Sequence, residues 1–108
     1  GNLIKMKKEA RIINVARGGI INEDDLSRVL KEKIISGAAL DVFESEPLDN
    51  NSPLISSPNI ILTPHNAALT LECRKRMSIE SCMNVFNYLK NIKELNKKNI
   101  VNLSNLNF

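Results

Sequence analysis

The chain has 108 residues, of which 43% are hydrophobic and 25% are charged, and this composition is typical of at most one globular domain. The net charge of +3 comes mostly from lysines near the two ends, with no interleaved aromatic residues to stack on bases. No run of about 18 apolar residues is present. We therefore expect no nucleic-acid partner and no membrane partner, and a cytoplasmic location.

The first half of the sequence predicts one strand followed by one helix. Lys5–Glu9 is interpreted as the end of a helix, and the apolar run at 11–16 predicts a buried strand. The next helix is expected to begin after Asn22, a favourable N-cap, and to end at Gly37. Its apolar face is formed by Leu26, Val29, Leu30 and Ile34.

The second half predicts two more strands and a long helix. The strands cover 38–43 and 59–63, with a polar loop at 44–58 between them, and the helix runs from Thr70 to about Lys90. We divide the chain into a domain part at 1–93 and a polar, mobile tail at 94–108.

The two cysteines, Cys73 and Cys82, fall in this last helix. Nine residues at about 1.5 Å rise put their Cα atoms roughly 13 Å apart, which is too far for a disulfide. Both are expected to be free thiols.

All three predicted strands are continuous apolar runs, as is typical of parallel strands covered on both faces. A strand, a helix and a strand within about 30 residues form a right-handed crossover. The fold class is therefore α/β, of the doubly wound type. These few elements cannot cover both faces of a sheet, so we expect part of a larger one.

Ionisable side chains follow each predicted strand. Arg17 follows the first strand, Asp41 and Glu46 follow the second, and His65, the single histidine, follows the third. Because ligands of open parallel sheets bind beyond the carboxyl ends of the strands, these groups are expected to meet around one pocket. Taken singly, each has an ordinary explanation, such as a solvated charge or a turn-forming carboxylate.

Together these residue types suit the reduction of a 2-oxo acid. An arginine fork holds a carboxylate in two parallel hydrogen bonds and can polarise a neighbouring oxo group. A histidine supplies the proton to the oxygen that becomes a hydroxyl, and a carboxylate beside the imidazole fixes its tautomer. Hydride would come from a nicotinamide. No metal site is predicted.

Three stretches carry a resemblance to a known family. They are Ile13–Glu23, which contains Asn-Val-Ala-Arg-Gly-Gly; Gly37–Pro47, which contains Leu-Asp-Val-Phe-Glu-Ser-Glu-Pro; and Leu62–His65, which reads Leu-Thr-Pro-His. In order and spacing they resemble the D-2-hydroxyacid dehydrogenases, which include phosphoglycerate, glycerate and D-lactate dehydrogenases. The resemblance implies the C-terminal part of a Rossmann-type, NAD-binding domain with a long C-terminal helix.

The resemblance also implies roles for individual residues. Arg17 matches the arginine that binds the substrate carboxylate, Glu46 matches the catalytic glutamate before proline, and His65 matches the general acid/base. A glutamate at this position argues against the formate dehydrogenase branch, which has glutamine. The implied NAD-binding positions are Val15, Ala16, Arg17, Asp41, His65, Asn66, Ala67 and Ala68, with Asp41 beside the nicotinamide carboxamide.

Parts of the family pattern are absent from this sequence. It has neither the Gly-x-Gly-x-x-Gly loop that holds the cofactor phosphates nor the substrate-binding domain. The isolated chain is therefore expected to bind NAD poorly and to be inactive, whereas the full-length protein is expected to be a homodimer acting on a small 2-hydroxy or 2-oxo acid. Two alternatives remain: an NAD(H)-sensing corepressor-like module and an inactive truncated remnant.

Overall fold

The computed structural model describes residues 1–90 and Ile100. It divides into two units, Gly1–Ala67 and a second that begins at Ala68. The tail predicted at 94–108 lies outside the described residues, except for Ile100. The strands and helices are β1 (Arg11–Asn14), α1 (Glu23–Lys31), β2 (Gly37–Leu40), β3 (Ile60–Leu62) and α2 (Leu71–Leu89).

The first unit contains a parallel three-stranded sheet in the order β1-β2-β3. Ile13 is in register with Ala39, and Ala39 with Ile61. The predicted α/β fold with parallel strands is thus confirmed. Each strand is shorter than predicted, because the chain leaves the ladder at its carboxyl end to form a turn, and these turns carry the site residues.

The segment before β1 differs from its prediction. Leu3–Lys5 is a short 3-10 helix, and the chain is already extended at Met6. The interpretation of Lys5–Glu9 as the end of a helix was therefore wrong. A pattern of charged residues with one methionine does not distinguish a single helical turn from a longer helix.

Helix α1 begins as predicted and ends earlier. The Asn22 side chain accepts a hydrogen bond of 2.8 Å from the Asp25 N–H, which confirms the N-cap. The helix ends at Lys31, and Lys33 adopts a left-handed conformation with φ of 55°. Gly37 was predicted to end the helix, but it begins β2, where a Cβ would lie 2.9 Å from the Asn59 carbonyl oxygen.

Helix α1 and one sheet face enclose the core of this unit. The fully or nearly fully buried residues are Leu26, Val29, Leu30, Ile35, Ala38, Leu40, Phe43 and Leu54. Ile34, which we had placed on the buried face of the helix, is only partly buried, because α1 ends before it. Leu54 belongs to the long loop between β2 and β3 and has no exposed surface. It holds that polar loop, and hence Glu46, against the core.

Within the first unit, Gly1–Ala67, no element packs on the opposite sheet face. Ile13 and Ile61 are 70% and 66% exposed, and with Ala39 they form one row across the three strands. This exposed row agrees with the expectation that the elements of this chain are too few to cover both faces.

Helix α2 belongs to the second unit. The Thr70 side chain accepts a hydrogen bond of 3.2 Å from the Cys73 N–H, so the helix begins one residue after the predicted start. Cys73 and Cys82 are both free, as expected. None of the residues of α2 is buried. Within 1–90 and Ile100, no helix has both the length and the apolar character needed to cross a bilayer.

Candidate active site

The three predicted catalytic side chains line one open cavity at the carboxyl ends of the strands. Arg17, Glu46 and His65 face a space of about 570 Å³, whose remaining lining is Gly18, Gly19, Phe43 and Glu44. Each side chain is carried by a different turn: Arg17 by the one after β1, Glu46 by the one after β2, and His65 by the one after β3. The expectation that distant residues meet at this edge of the sheet agrees with the geometry.

Glu46 and His65 form a hydrogen-bonded pair. Nδ1 of His65 lies 2.7 Å from Oε2 of Glu46, and the Phe43 N–H donates to Oε1 at 3.1 Å. The hydrogen bond from His65, followed by that from Phe43, lowers the pKa of the Glu46 carboxyl, and the Arg17 charge adds to this effect. An ionised carboxylate can only accept, so Nδ1 carries the proton, and Nε2 is the nitrogen left for exchange with a ligand.

Asp41 joins the end of β2 to the turn that carries His65. Its carboxylate accepts hydrogen bonds from the Thr63 hydroxyl at 2.5 Å, the Asn66 N–H at 3.0 Å and the Ala67 N–H at 2.9 Å. The Thr63 hydroxyl, and then the two backbone N–H groups, lower the pKa of Asp41. Asp41 is only 3% exposed, so it is a buried anion whose charge is compensated by donors from one short segment.

That segment holds His65 in an uncommon conformation. His65 has a φ of 51°, in the left-handed region that non-glycine residues rarely adopt. Such a residue costs on the order of 1–3 kcal/mol and persists only where its surroundings fix it. Here Asp41 binds the chain on both sides of His65, at Thr63 and at Asn66 and Ala67. The backbone conformation of His65 therefore sets the direction of its imidazole.

The family resemblance implied further cofactor-binding positions, which differ in exposure and in hydrogen bonding. Val15 is 59% exposed at the end of β1. The N–H of Ala16 is already bonded to the Asn14 side chain, and those of Asn66 and Ala67 are bonded to Asp41. Ala68 belongs to the second unit. The N–H groups of Ala16, Asn66 and Ala67 are therefore already used within the chain.

Sequence reasoning missed Asn14, the last residue of β1. It is 6% exposed, and its side chain bonds the backbone of Ala16 and Arg17. An asparagine placed directly before a turn is the available signal, because this side chain often bonds backbone two residues on.

A second cavity adjoins the Glu46–His65 pair on another side. It measures about 420 Å³ and is lined mainly by apolar side chains, among them Leu48, Leu62 and Pro64. Arg17 does not line it. The Glu46–His65 pair thus lies between a cavity that is lined by Arg17 and a cavity that is lined mainly by apolar side chains.

The turn after β1 depends on close approach between two loops. A Cβ on Gly18 would lie 1.8 Å from the carbonyl oxygen of Phe43, a distance that real Cβ atoms do not reach. Gly18 therefore lets the Arg17 turn rest directly on the segment that leads to Glu46. Any larger residue would push these two parts of the site apart.

We predict that Gly18→Ala lowers the free energy of unfolding by at least about 3 kcal/mol, the upper end for overpacking, because the backbone itself must move. Urea unfolding of the chain measures this. Gly19→Ala is the matched control: Gly19 has a φ of 76°, but its Cβ would meet no atom within 4 Å. The control should cost about 1–2 kcal/mol, from conformation alone. Equal losses in the two variants would contradict the close-approach argument.

Residues 1–67 match the family model described as "D-isomer specific 2-hydroxyacid dehydrogenase, NAD binding domain". The matched residues include Arg17, Asp41, Glu46 and His65. This match confirms the family resemblance and the NAD-binding domain implied by the sequence.

Individual relatives agree with the family match. A glyoxylate reductase of Thermofilum pendens is 49% identical over 82% of this chain and 26% of the relative. Among solved structures, an acyclic imino acid reductase in complex with NADPH and D-Arg has a TM-score of 0.76 and 34% identity, over 86% of this chain and 29% of the other. An NADPH-dependent glyoxylate/hydroxypyruvate reductase of Sinorhizobium meliloti, solved with citrate, has a TM-score of 0.72 and 36% identity, over 81% and 28%.

This chain therefore spans about a quarter of the length of these relatives. All three relatives are reductases. The corepressor-like alternative receives no support from them.

Proposed function

We propose, since the chain belongs to the D-isomer specific 2-hydroxyacid dehydrogenase family, that the complete protein interconverts a small 2-oxo acid and its 2-hydroxy acid with NAD(H). In this proposal the chain contributes the groups that bind the substrate carboxylate and transfer the proton. The observation that carries the proposal is the hydrogen-bonded Glu46–His65 pair, in one cavity with Arg17.

Arg17 is proposed to bind the substrate carboxylate. One guanidinium nitrogen, Nη1, donates a hydrogen bond of 2.7 Å to the Ala16 carbonyl oxygen, which restrains the end of the side chain. A guanidinium has five N–H donors, so enough remain for two parallel bonds to a carboxylate. A carboxylate bound there would place the adjacent oxo group on the side of the cavity lined by His65.

His65 is proposed to give a proton from Nε2 to the oxo oxygen while C2 accepts a hydride, and to take that proton back in the oxidation direction. Glu46 accepts a hydrogen bond from Nδ1, and its second oxygen is held by the Phe43 N–H. The pair therefore sets both the tautomer and the ring orientation. The product is the 2-hydroxy acid.

The nicotinamide, when bound, supplies or accepts the hydride. Asp41 is proposed to accept a hydrogen bond from its carboxamide. A carboxylate offers about four acceptor positions, and three of those on Asp41 are used within the chain, which leaves one. The exposed Val15 at the end of β1 provides an apolar surface beside the same edge.

The test is an assay of NADH and NADPH oxidation by the complete gene product that contains this chain. Glyoxylate, hydroxypyruvate and pyruvate are supplied in turn, and the reverse reaction is followed with glycolate, D-glycerate and D-lactate. We expect turnover with at least one acid in both directions, and no oxidation when the 2-oxo acid is omitted. Absence of turnover with all three acids and both cofactors would reject the proposed function.

We also propose a cytoplasmic location and a homodimeric full-length protein. A cytoplasmic location is supported by the free thiols of Cys73 and Cys82, as is usual for proteins of a reducing compartment. A homodimer of the full-length protein is supported by the family resemblance. Size-exclusion chromatography with light scattering measures the second.

A further inference from the structure

Asn14 is one of three buried polar residues in the described part of the chain, with Ser27 and Asp41. Both polar atoms of its side chain form hydrogen bonds with the turn that follows. Oδ1 accepts from the Ala16 N–H at 3.1 Å, and Nδ2 donates to the Arg17 carbonyl oxygen at 2.8 Å. These two bonds close the turn between β1 and the Arg17 side chain.

The backbone of Asn14 connects the same turn to Asp41. The Asp41 N–H donates 3.0 Å to the Asn14 carbonyl oxygen, one step beyond the regular ladder of β1 and β2. The Asp41 carboxylate then binds Thr63, Asn66 and Ala67, on either side of His65. A continuous path of hydrogen bonds therefore runs from the Arg17 turn to the His65 turn.

We infer that Asn14 is a positioning residue: through its two side-chain bonds it fixes Arg17, and through Asp41 it sets the Arg17 turn relative to His65. This inference rests on the proposed function, in which Arg17 binds the carboxylate and His65 transfers the proton. Reaction requires both ends of a small acid to be held at once, and a displacement of about 1 Å between their partners lowers the rate.

The chemistry of the side chain explains why asparagine suits this position. The turn presents one N–H donor and one C=O acceptor, so its partner must both accept and donate over a short reach. Aspartate of the same size would accept from Ala16, but its second oxygen would face the Arg17 carbonyl oxygen. Alanine would leave both backbone groups without the bonds that the buried Asn14 side chain makes to them.

The experiment compares Asn14→Asp and Asn14→Ala with Ser27→Ala in the complete gene product. Ser27 is a matched control, because it is 3% exposed and its hydroxyl also closes buried bonds, to Pro53 at 3.2 Å and from Ser57 at 2.8 Å. It lies on α1 and lines neither cavity beside the Glu46–His65 pair. Five quantities are measured: KM and kcat for the 2-oxo acid, the Kd for oxamate, the Tm, and amide hydrogen exchange at Ala16.

We expect Asn14→Asp to raise KM and the oxamate Kd by about tenfold, the effect of losing roughly one hydrogen bond, with a smaller change in kcat. Asn14→Ala, which lacks the acceptor, should exchange the Ala16 amide faster than the native protein, whereas Asn14→Asp keeps an acceptor for that amide and should exchange it more slowly than Asn14→Ala. Ser27→Ala should lower the Tm about as much as the Asn14 variants do. It should leave KM, the oxamate Kd and the exchange at Ala16 within about twofold of the native protein.

The inference is overturned if Asn14 variants lose thermal stability as Ser27→Ala does but keep their KM and oxamate affinity. It is also overturned if exchange at Ala16 is unchanged in Asn14→Ala. A native protein that reduces no 2-oxo acid would reject the proposed function instead. In that case the oxamate Kd and the amide exchange still decide whether Asn14 positions Arg17.

Discussion

Replacing His65 with glutamine is expected to lower kcat of the complete protein about 10³-fold, within the range of about 10²–10⁴ that general acid–base catalysis contributes. Glutamine can still donate a hydrogen bond to Glu46, but it cannot exchange a proton at neutral pH. The loss should therefore fall on kcat, with KM for the 2-oxo acid changed little, because Arg17 remains. Initial rates of NADH oxidation over a range of 2-oxo acid concentrations separate the two constants.

The control for this variant is Lys33→Gln. Lys33 has a φ of 55°, close to the 51° of His65, so both substitutions place glutamine in a left-handed backbone. Lys33 precedes the amino end of β2, whereas the site lies beyond the carboxyl ends of the strands. The control should keep its kcat. A His65→Gln variant that retains more than a tenth of native kcat would rule out His65 as the proton donor.

The edge at which the site forms could be predicted from the sequence because it follows from strand direction. Once three apolar runs are assigned to a parallel sheet, Arg17, Asp41 and His65 must emerge at one edge. Glu46 lies five residues beyond Asp41 and was expected at the same edge, while its catalytic role was implied by the resemblance. The structure supplies the physical reason, since Leu54 anchors the loop in the core and Phe43 bonds the carboxylate.

The details that could not be predicted depend on side-chain rotamers and on tight contacts. From the sequence, Asn14 is an ordinary residue at the end of a strand. Only the turn geometry shows that Oδ1 and Nδ2 of its side chain both bond backbone groups. Gly37 was assigned to the end of a helix because glycine is common there. Position 37 requires glycine because the carbonyl oxygen of Asn59, the residue before β3, leaves no room for a Cβ. This contact joins residues that are far apart in sequence, so no local pattern indicates it.

The division of roles between Asp41 and Glu46 also required coordinates. Both are carboxylates after the same strand, and sequence alone does not say which of them contacts His65. In the structure Glu46 bonds the imidazole itself, while Asp41 accepts from the Thr63 hydroxyl before it and from the Asn66 and Ala67 N–H groups after it. One carboxylate therefore fixes the orientation of the ring, and the other maintains the backbone conformation from which the ring extends.

Substitution of Arg17 by lysine tests the other half of the proposed site. The charge is kept, but the fork that makes two parallel bonds to a carboxylate is lost. We expect kcat/KM for the 2-oxo acid to fall about a hundredfold, equivalent to about 2.7 kcal/mol of transition-state binding. Most of the change should be an increase in KM, because the Glu46–His65 pair that transfers the proton is untouched.

Arg28→Lys provides the control. Arg28 also makes a charge-assisted hydrogen bond, of 2.7 Å to Asp25, but it lies on α1 with a half-exposed side chain. Exposed pairs of this kind contribute about 0–1 kcal/mol, so this variant should keep both its stability and its KM. If Arg17→Lys binds the 2-oxo acid as well as Arg28→Lys does, the carboxylate is held elsewhere, and the orientation proposed for the oxo group toward His65 loses its basis.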